Sequence, residues 1–151
     1  MATATMIVGA RTSLTTSALN SLASATYVVA GTLDHTTNDP IDVLLEVTVT
    51  PGTPSSNKQV VVFLQKSLDG TNFETGPTSG TTTTDEPNLT FVGTLPCNTS
   101  STAQTRVFSL AAACGGVLPA HSKIIVKNET GAALAASGHS VYYSEVTADV
   151  S

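Results

Sequence analysis

The sequence predicts an all-β fold: a single-domain β-sandwich of jelly-roll type, preceded by an extended N-terminal arm. Three observations carry this. Residues 41–50 alternate, with Val43, Leu45, Val47 and Val49 on one face and Asp42, Leu44, Glu46, Thr48 and Thr50 on the other, the period of a half-buried strand. Residues 59–65, Gln-Val-Val-Val-Phe-Leu-Gln, form a short β-branched and aromatic run with polar ends. That pattern suits a strand buried on both faces. No segment holds a helical period, and the chain carries 26 Thr, whose branched side chain fits a pleated surface.

The elements follow in order. Residues 1–24 are small and hydroxylated, with Met6, Ile7 and Val8 as the early apolar cluster and Leu14, Leu19 and Leu22 spaced without a helical repeat. They read as an arm or edge strand in need of a partner surface. The sandwich domain is expected over residues 25–151. Residues 26–33 give its first firm strand, and a polar turn at 34–40 contains Asn38-Asp39-Pro40. After the alternating strand, residues 51–57 form a loop and 60–67 the doubly buried strand. Asp69-Gly70 then marks a chain reversal, because Gly accepts the positive φ that tight turns require. Residues 75–88 are a long polar excursion without periodicity, which in a compact domain is either functional or mobile. Strands resume at 89–95, 105–110, 122–127 and 140–146, separated by the break at 111–116 and a turn at Asn128-Glu129-Thr130-Gly131. Short strands with turn signals between them point to a sandwich or jelly roll.

At 151 residues the chain is about one domain long and needs no staples to fold. Six basic and eleven acidic residues make only 11% of the chain charged, against about 25% in typical domains. Hydroxyls, including 16 Ser, take their place. A neutral β-protein surface explains this, and so does a surface covered in an assembly. The net charge of −5 and the scattered Arg11, Lys58, Lys66, Arg106, Lys123 and Lys127 argue against nucleic acid as a partner, since phosphate binding needs clustered cations. No apolar run approaches the length of a membrane helix. The N-terminus lacks a basic region followed by an apolar segment, so a chain made and used in the cytosol is expected.

No catalytic constellation is legible. Cys97 and Cys114 lack the paired His that a tetrahedral zinc site needs. They flank the strand at 105–110, where a disulfide is conceivable and would add about 3 kcal/mol; a cytosolic chain would keep both thiols reduced. His35, His121 and His139 lie in turns without metal-pair spacing and read as solvated. Asp85 and Glu86 are adjacent, so on an extended chain they point apart and cannot flank one glycosidic bond. Asp69, Asn72 and Glu74 offer oxygens but too few for Ca²⁺. Three Asn-x-Ser/Thr triplets, at Asn88, Asn98 and Asn128, read as turn and strand residues. No Gly-x-Ser-x-Gly elbow or phosphate loop occurs. The reading is a protein that is not an enzyme, with no cofactor and no metal.

Three stretches carry a family likeness. They are Val61-Val62-Phe63-Leu64-Gln65-Lys66-Ser67-Leu68-Asp69-Gly70-Thr71-Asn72-Phe73, residues 118–131 around Lys123-Ile124-Ile125-Val126-Lys127, and Ser137-Gly138-His139-Ser140-Val141-Tyr142-Tyr143. Across residues 25–146 the chain resembles small virion structural proteins of tailed bacteriophages, of the type that decorates or cements the outside of an icosahedral head. The resemblance implies a compact β-structure seated on the capsid, partnered by the major capsid protein and by itself as a homotrimer, and assembled in the host cytoplasm. It transfers no catalytic residues. The alternative is a tail-associated or carbohydrate-binding β-module for host attachment. On the capsid reading Met6, Ile7, Val8, Leu14, Leu19 and Leu22 are the expected capsid or subunit contacts, by addition of the arm to a neighbour's sheet edge. The loop at 75–88 is the second candidate.

Overall fold

The computed structural model describes residues 3–150. Among these residues nine strands are present: β1 (Ala4–Val8), β2 (Thr12–Thr15), β3 (Tyr27–Asp34), β4 (Asp42–Val49), β5 (Gln59–Ser67), β6 (Thr90–Pro96), β7 (Gln104–Ser109), β8 (His121–Asn128) and β9 (Ser140–Val150). One sheet runs β1-β9-β4-β7, with β2 also on β9; the other runs β3-β8-β5-β6. All pairings are antiparallel. Counted from β2, strands one, eight, three and six form the first sheet and two, seven, four and five the second. That interleaving is the jelly-roll order, so the predicted fold class is present.

The core lies between the sheets. Val43, Leu45, Val47 and Val49 of β4 face Val60, Val62 and Leu64 of β5 and Ile124 and Val126 of β8, all fully buried. The alternation seen in residues 41–50 is therefore the inner and outer face of β4. Strand β5 is buried from Val60 through Gln65, as its unbroken apolar run predicts. Its second face meets a separate cluster of Tyr27, Val61, Phe63, Leu89 and Ile125.

The segment between β5 and β6 covers that outer face. It reaches across the sheet to bond Tyr27 N–H to the Gly80 carbonyl, then turns back through a short 3-10 helix at Glu86–Asn88. Glu86 accepts from Lys127 Nζ at 2.6 Å and from the Tyr27 hydroxyl. Lys127 also pairs with Glu129 at 2.9 Å. The loop at 75–88, expected to be a contact element or mobile, is thus tied down as a lid over sheet β3-β8-β5-β6.

The N-terminal segment departs from the separate arm expected at residues 1–24, of which residues 1 and 2 lie outside the described residues. Strand β2 pairs with Thr12, Ser13 and Thr15 against Tyr143, Tyr142 and Val141 of the same chain. Leu19 is fully buried in the main core, and Leu14 and Leu22 pack against it. Leu14 lies so close over Gly31 that a Cβ there would come within 2.6 Å of its side chain. Burial of apolar surface wins here, because three Leu side chains placed against an incomplete core gain more than an arm left in water.

One helical turn, α1 (Leu110–Ala113), also appears where no helix was expected. It is too short for sequence periodicity to register. Ser109 caps it by accepting from Ala112 N–H, and Asp42 Oδ1 accepts from Ala111 N–H at 2.9 Å.

Because Leu19 is a core residue, Leu19→Ala is expected to lower unfolding stability by about 2–5 kcal/mol, the usual cost of truncating a buried Leu. Urea unfolding checks this; a change below about 0.5 kcal/mol, typical of surface sites, would assign Leu19 to a detached arm.

Candidate docking surface

The groups that carry chemistry in other proteins have structural partners here. His35 is buried and its Nε2 lies 2.8 Å from Ser122 Oγ. His139 is buried too: its Nδ1 accepts from Thr50 N–H at 3.2 Å, so Nε2 carries the hydrogen toward the Ala135 carbonyl at 2.9 Å. The expectation of three solvated turn histidines is therefore corrected for these two. The His139 ring serves backbone groups of Thr50 and Ala135, whereas the His35 ring meets the Ser122 hydroxyl and leaves its Nδ1 without a partner among the described residues. His121 stays near the surface, 3.6 Å from Asp34.

Asp69 Oδ1 accepts from the backbone N–H of Asn72 at 2.7 Å and Thr71 at 2.9 Å, and Oδ2 accepts from the Asn72 amide. These bonds hold its carboxyl far below the usual range and leave it a turn-former around Gly70, whose φ is +72°. Among the described residues no three His, Cys, Asp or Glu gather as a metal site, and no helix is long and apolar enough to cross a membrane. Cys97 and Cys114 are both free, so the bridge left open by the sequence is not formed. Burial pushes the Cys97 thiol up to about 11 and raises Cys114 as well.

What stands out is the distribution of exposed apolar side chains. The strand registers place the 34–42, 67–90 and 109–121 connections at one end of the sandwich. Ile41, Leu68 and Val117 are on those loops, with Leu68 88% and Val117 77% exposed. Two clefts open between them. One of about 610 Å³ is lined by Lys66, Leu68, Asp69, Phe73, Glu74 and Pro119. The other, about 420 Å³, is lined by His35, Ile41, Val117, Leu118 and Pro119 among others. They adjoin at Pro119.

A ribbon projects at the same end. Strand β4 stops at Asp42 opposite Val146, and β9 continues beyond it paired only with β1. Met6 is 69%, Val8 60% and Ile7 46% exposed on that ribbon. Among the described residues the opposite end, built from loops 16–26, 50–58, 97–103 and 129–139, carries no exposed large hydrophobic residue. Apart from Phe91 on β6 and Val107 on β7, the exposed large apolar side chains thus gather at one end and the other end is hydroxyl-rich, a segregation that marks interaction surfaces.

Of the six contact residues read from the sequence, the structure keeps Met6, Ile7 and Val8 at the surface and takes Leu14, Leu19 and Leu22 inside the subunit. Ile41, Leu68 and Val117 were not singled out by sequence. Their signal was present: each is a bulky apolar residue inside turn chemistry, after Asp39-Pro40, before Asp69-Gly70 and after Gly115-Gly116.

Two measurements follow from these burials. Iodoacetamide is expected to label Cys114 in the native protein well before Cys97, with both labelled once unfolded; equal native rates would contradict the packing of Cys97. For His35, burial lowers its pKa against the opposing pull of Glu145 and Asp34. The unfolded state then binds the extra proton first as pH falls. Stability is therefore full above the unfolded value of about 6.5 and declines as pH falls below it. Urea midpoints should show that decline, and His35→Asn should flatten it; an unchanged slope would remove His35 as its source.

Comparison of the chain with family models, with curated proteins and with solved structures returns no match.

Proposed function

We propose that this chain is a non-catalytic structural protein of a bacteriophage virion, seated on the outer surface of the capsid through its apolar loop end. The observation that carries the reading is the gathering of Ile41, Leu68 and Val117 with the β1–β9 ribbon at one end of a rigid sandwich. A subunit that docks end-on to a lattice needs one adhesive end and one solvent-facing end. The hydroxyl-rich far end, whose loops carry Lys58 and Glu129 as their charged residues, fits the second role. The absence of assembled chemistry among the described residues is consistent with a binding role without being its basis. The resemblance of residues 25–146 to head-decorating proteins supplies the capsid as the partner. Exposed Asp34, Asp39 and Asp69 surround the loop tips, so the matching capsid surface is apolar at its centre and basic at its rim.

The alternative of a host-attachment module draws on the outer face of sheet β1-β9-β4-β7. There the Arg11 guanidinium stacks over Tyr142 at 3.4 Å and bonds Glu46, a polar and aromatic combination suited to a sugar. Antibody labelling of intact particles separates the two readings. Head labelling supports the capsid assignment, whereas tail-tip labelling with glycan binding by the isolated protein replaces it. Leu68→Asp should cut occupancy of capsids lacking the protein by roughly 10–100-fold, the loss of about 1.5–3 kcal/mol for one side chain no longer buried. Undiminished occupancy would remove this end from the contact.

A further inference from the structure

We propose that β1 is a homotypic pairing edge, joining two copies of this chain antiparallel about a two-fold axis through Met6. This deepens the assembly reading above by naming a self-contact, and it stands on the geometry of β1 alone.

Strand β1 has one partner, Val146–Val150 of β9, and among the described residues no strand occupies its other edge. Edges of that kind are ordinarily blunted by Lys, Pro, a bulge or a cover. β1 has none of these. Ala4-Thr5-Met6-Ile7-Val8 holds no charge and no Pro, its register with β9 runs without a shift, and all five residues are exposed. Beyond Val146 the β1–β9 pair stands as a two-stranded ribbon, an arrangement of marginal stability in water until a third strand joins.

The direction of the free groups favours a second copy. Gly9 N–H donates to the Glu145 carbonyl at 2.8 Å, continuing the register in which Val8 faces Val146. Backbone groups alternate sides along a strand. Thr5, Ile7 and Gly9 therefore turn their N–H and C=O groups toward β9, and Ala4, Met6 and Val8 turn theirs to the open edge. A two-fold at Met6 sets Met6 opposite its copy and Ala4 opposite Val8 of the second chain in each direction. Every outward N–H and C=O of the three residues then finds a partner. The same operation lines Ala4, Met6 and Val8 of both copies on one face. Their cross-strand neighbours Ala148 and Val146 share that face. No like charges meet across the seam. Sheet β1-β9-β4-β7 becomes continuous through two subunits. The contact is isologous, in place of the three-fold arrangement that the family resemblance implies.

Sedimentation equilibrium of the full chain at micromolar concentration tests this. A mass of twice 15.4 kDa is expected, falling to one chain in Met6→Lys with an unchanged circular dichroism spectrum. Directly opposed residues in such a pair have Cα atoms about 5.5 Å apart, within disulfide range. Met6→Cys should therefore give a covalent dimer on oxidation, while Ser13→Cys, exposed on β2, should not. A one-chain or three-chain mass for the natural protein, or cross-linking as ready at Ser13 as at Met6, overturns the proposal. Head labelling by a monomeric protein would leave the capsid reading standing and sink this one; a dimer that leaves heads unlabelled would do the reverse.

Discussion

Strand β5 is apolar on both faces, and that constraint organises the layers around it. An alternating strand needs one cover, but the run from Val60 to Gln65 needs two. Inward, Val60, Val62 and Leu64 are met by the opposing sheet through β4. Outward, Val61 and Phe63 have no third sheet to meet, so the chain supplies the long connection between β5 and β6 as a lid. Each large side chain withdrawn from water in that outer cluster contributes about 1.5–3 kcal/mol. That gain offsets the cost of ordering a polar loop with little regular structure of its own.

The lid is held by charge as well as by apolar contact. Lys127 lies on the outer face of β8, nearly buried beneath the loop. Burial works against its charged form, but the bonds to Glu86, Glu129 and Tyr27 outweigh that and keep it protonated. Glu129 is raised by burial and lowered more by its bonds to Lys127 and Gln59, so its carboxyl titrates below the ordinary range. An ion pair of this kind is weak as a source of net stability, since desolvation consumes much of the Coulomb gain. Its value is in register: only one placement of the loop brings Glu86 to Lys127 and Gly80 to Tyr27 together.

With both faces of one sheet consumed by packing, binding capacity is displaced to the ends and edges of the sandwich. The far end closes on itself through Asn128, which donates to the carbonyls of Leu22 and Ala132 and accepts from Thr130. The near end leaves Ile41, Leu68 and Val117 on loops, and β9 overruns β4 to carry β1 outward. Loop tips and a sheet edge on one rigid body are separate surfaces, suited to two different contacts.

The sequence by itself determined strands β3 to β9, the faces of β4, the double burial of β5 and the Asp69-Gly70 reversal. Each depends on periodicity or turn chemistry within a few residues. It also contained the apolar ribbon residues Met6, Ile7 and Val8. Only the tertiary structure decided that Leu14, Leu19 and Leu22 belong to the subunit, that His35 and His139 are internal partners, and that the 75–88 loop is a lid. The physical reason is common to all three. Whether an apolar or polar side chain in a loop faces water depends on which distant strand passes beside it. The registers of β2 with β9 and of β3 with β8 are set by the packing of the whole sandwich. The docking end was hidden for the same cause: Leu68 and Val117 look like loop residues singly, and become a surface only when strand order brings their loops to one end.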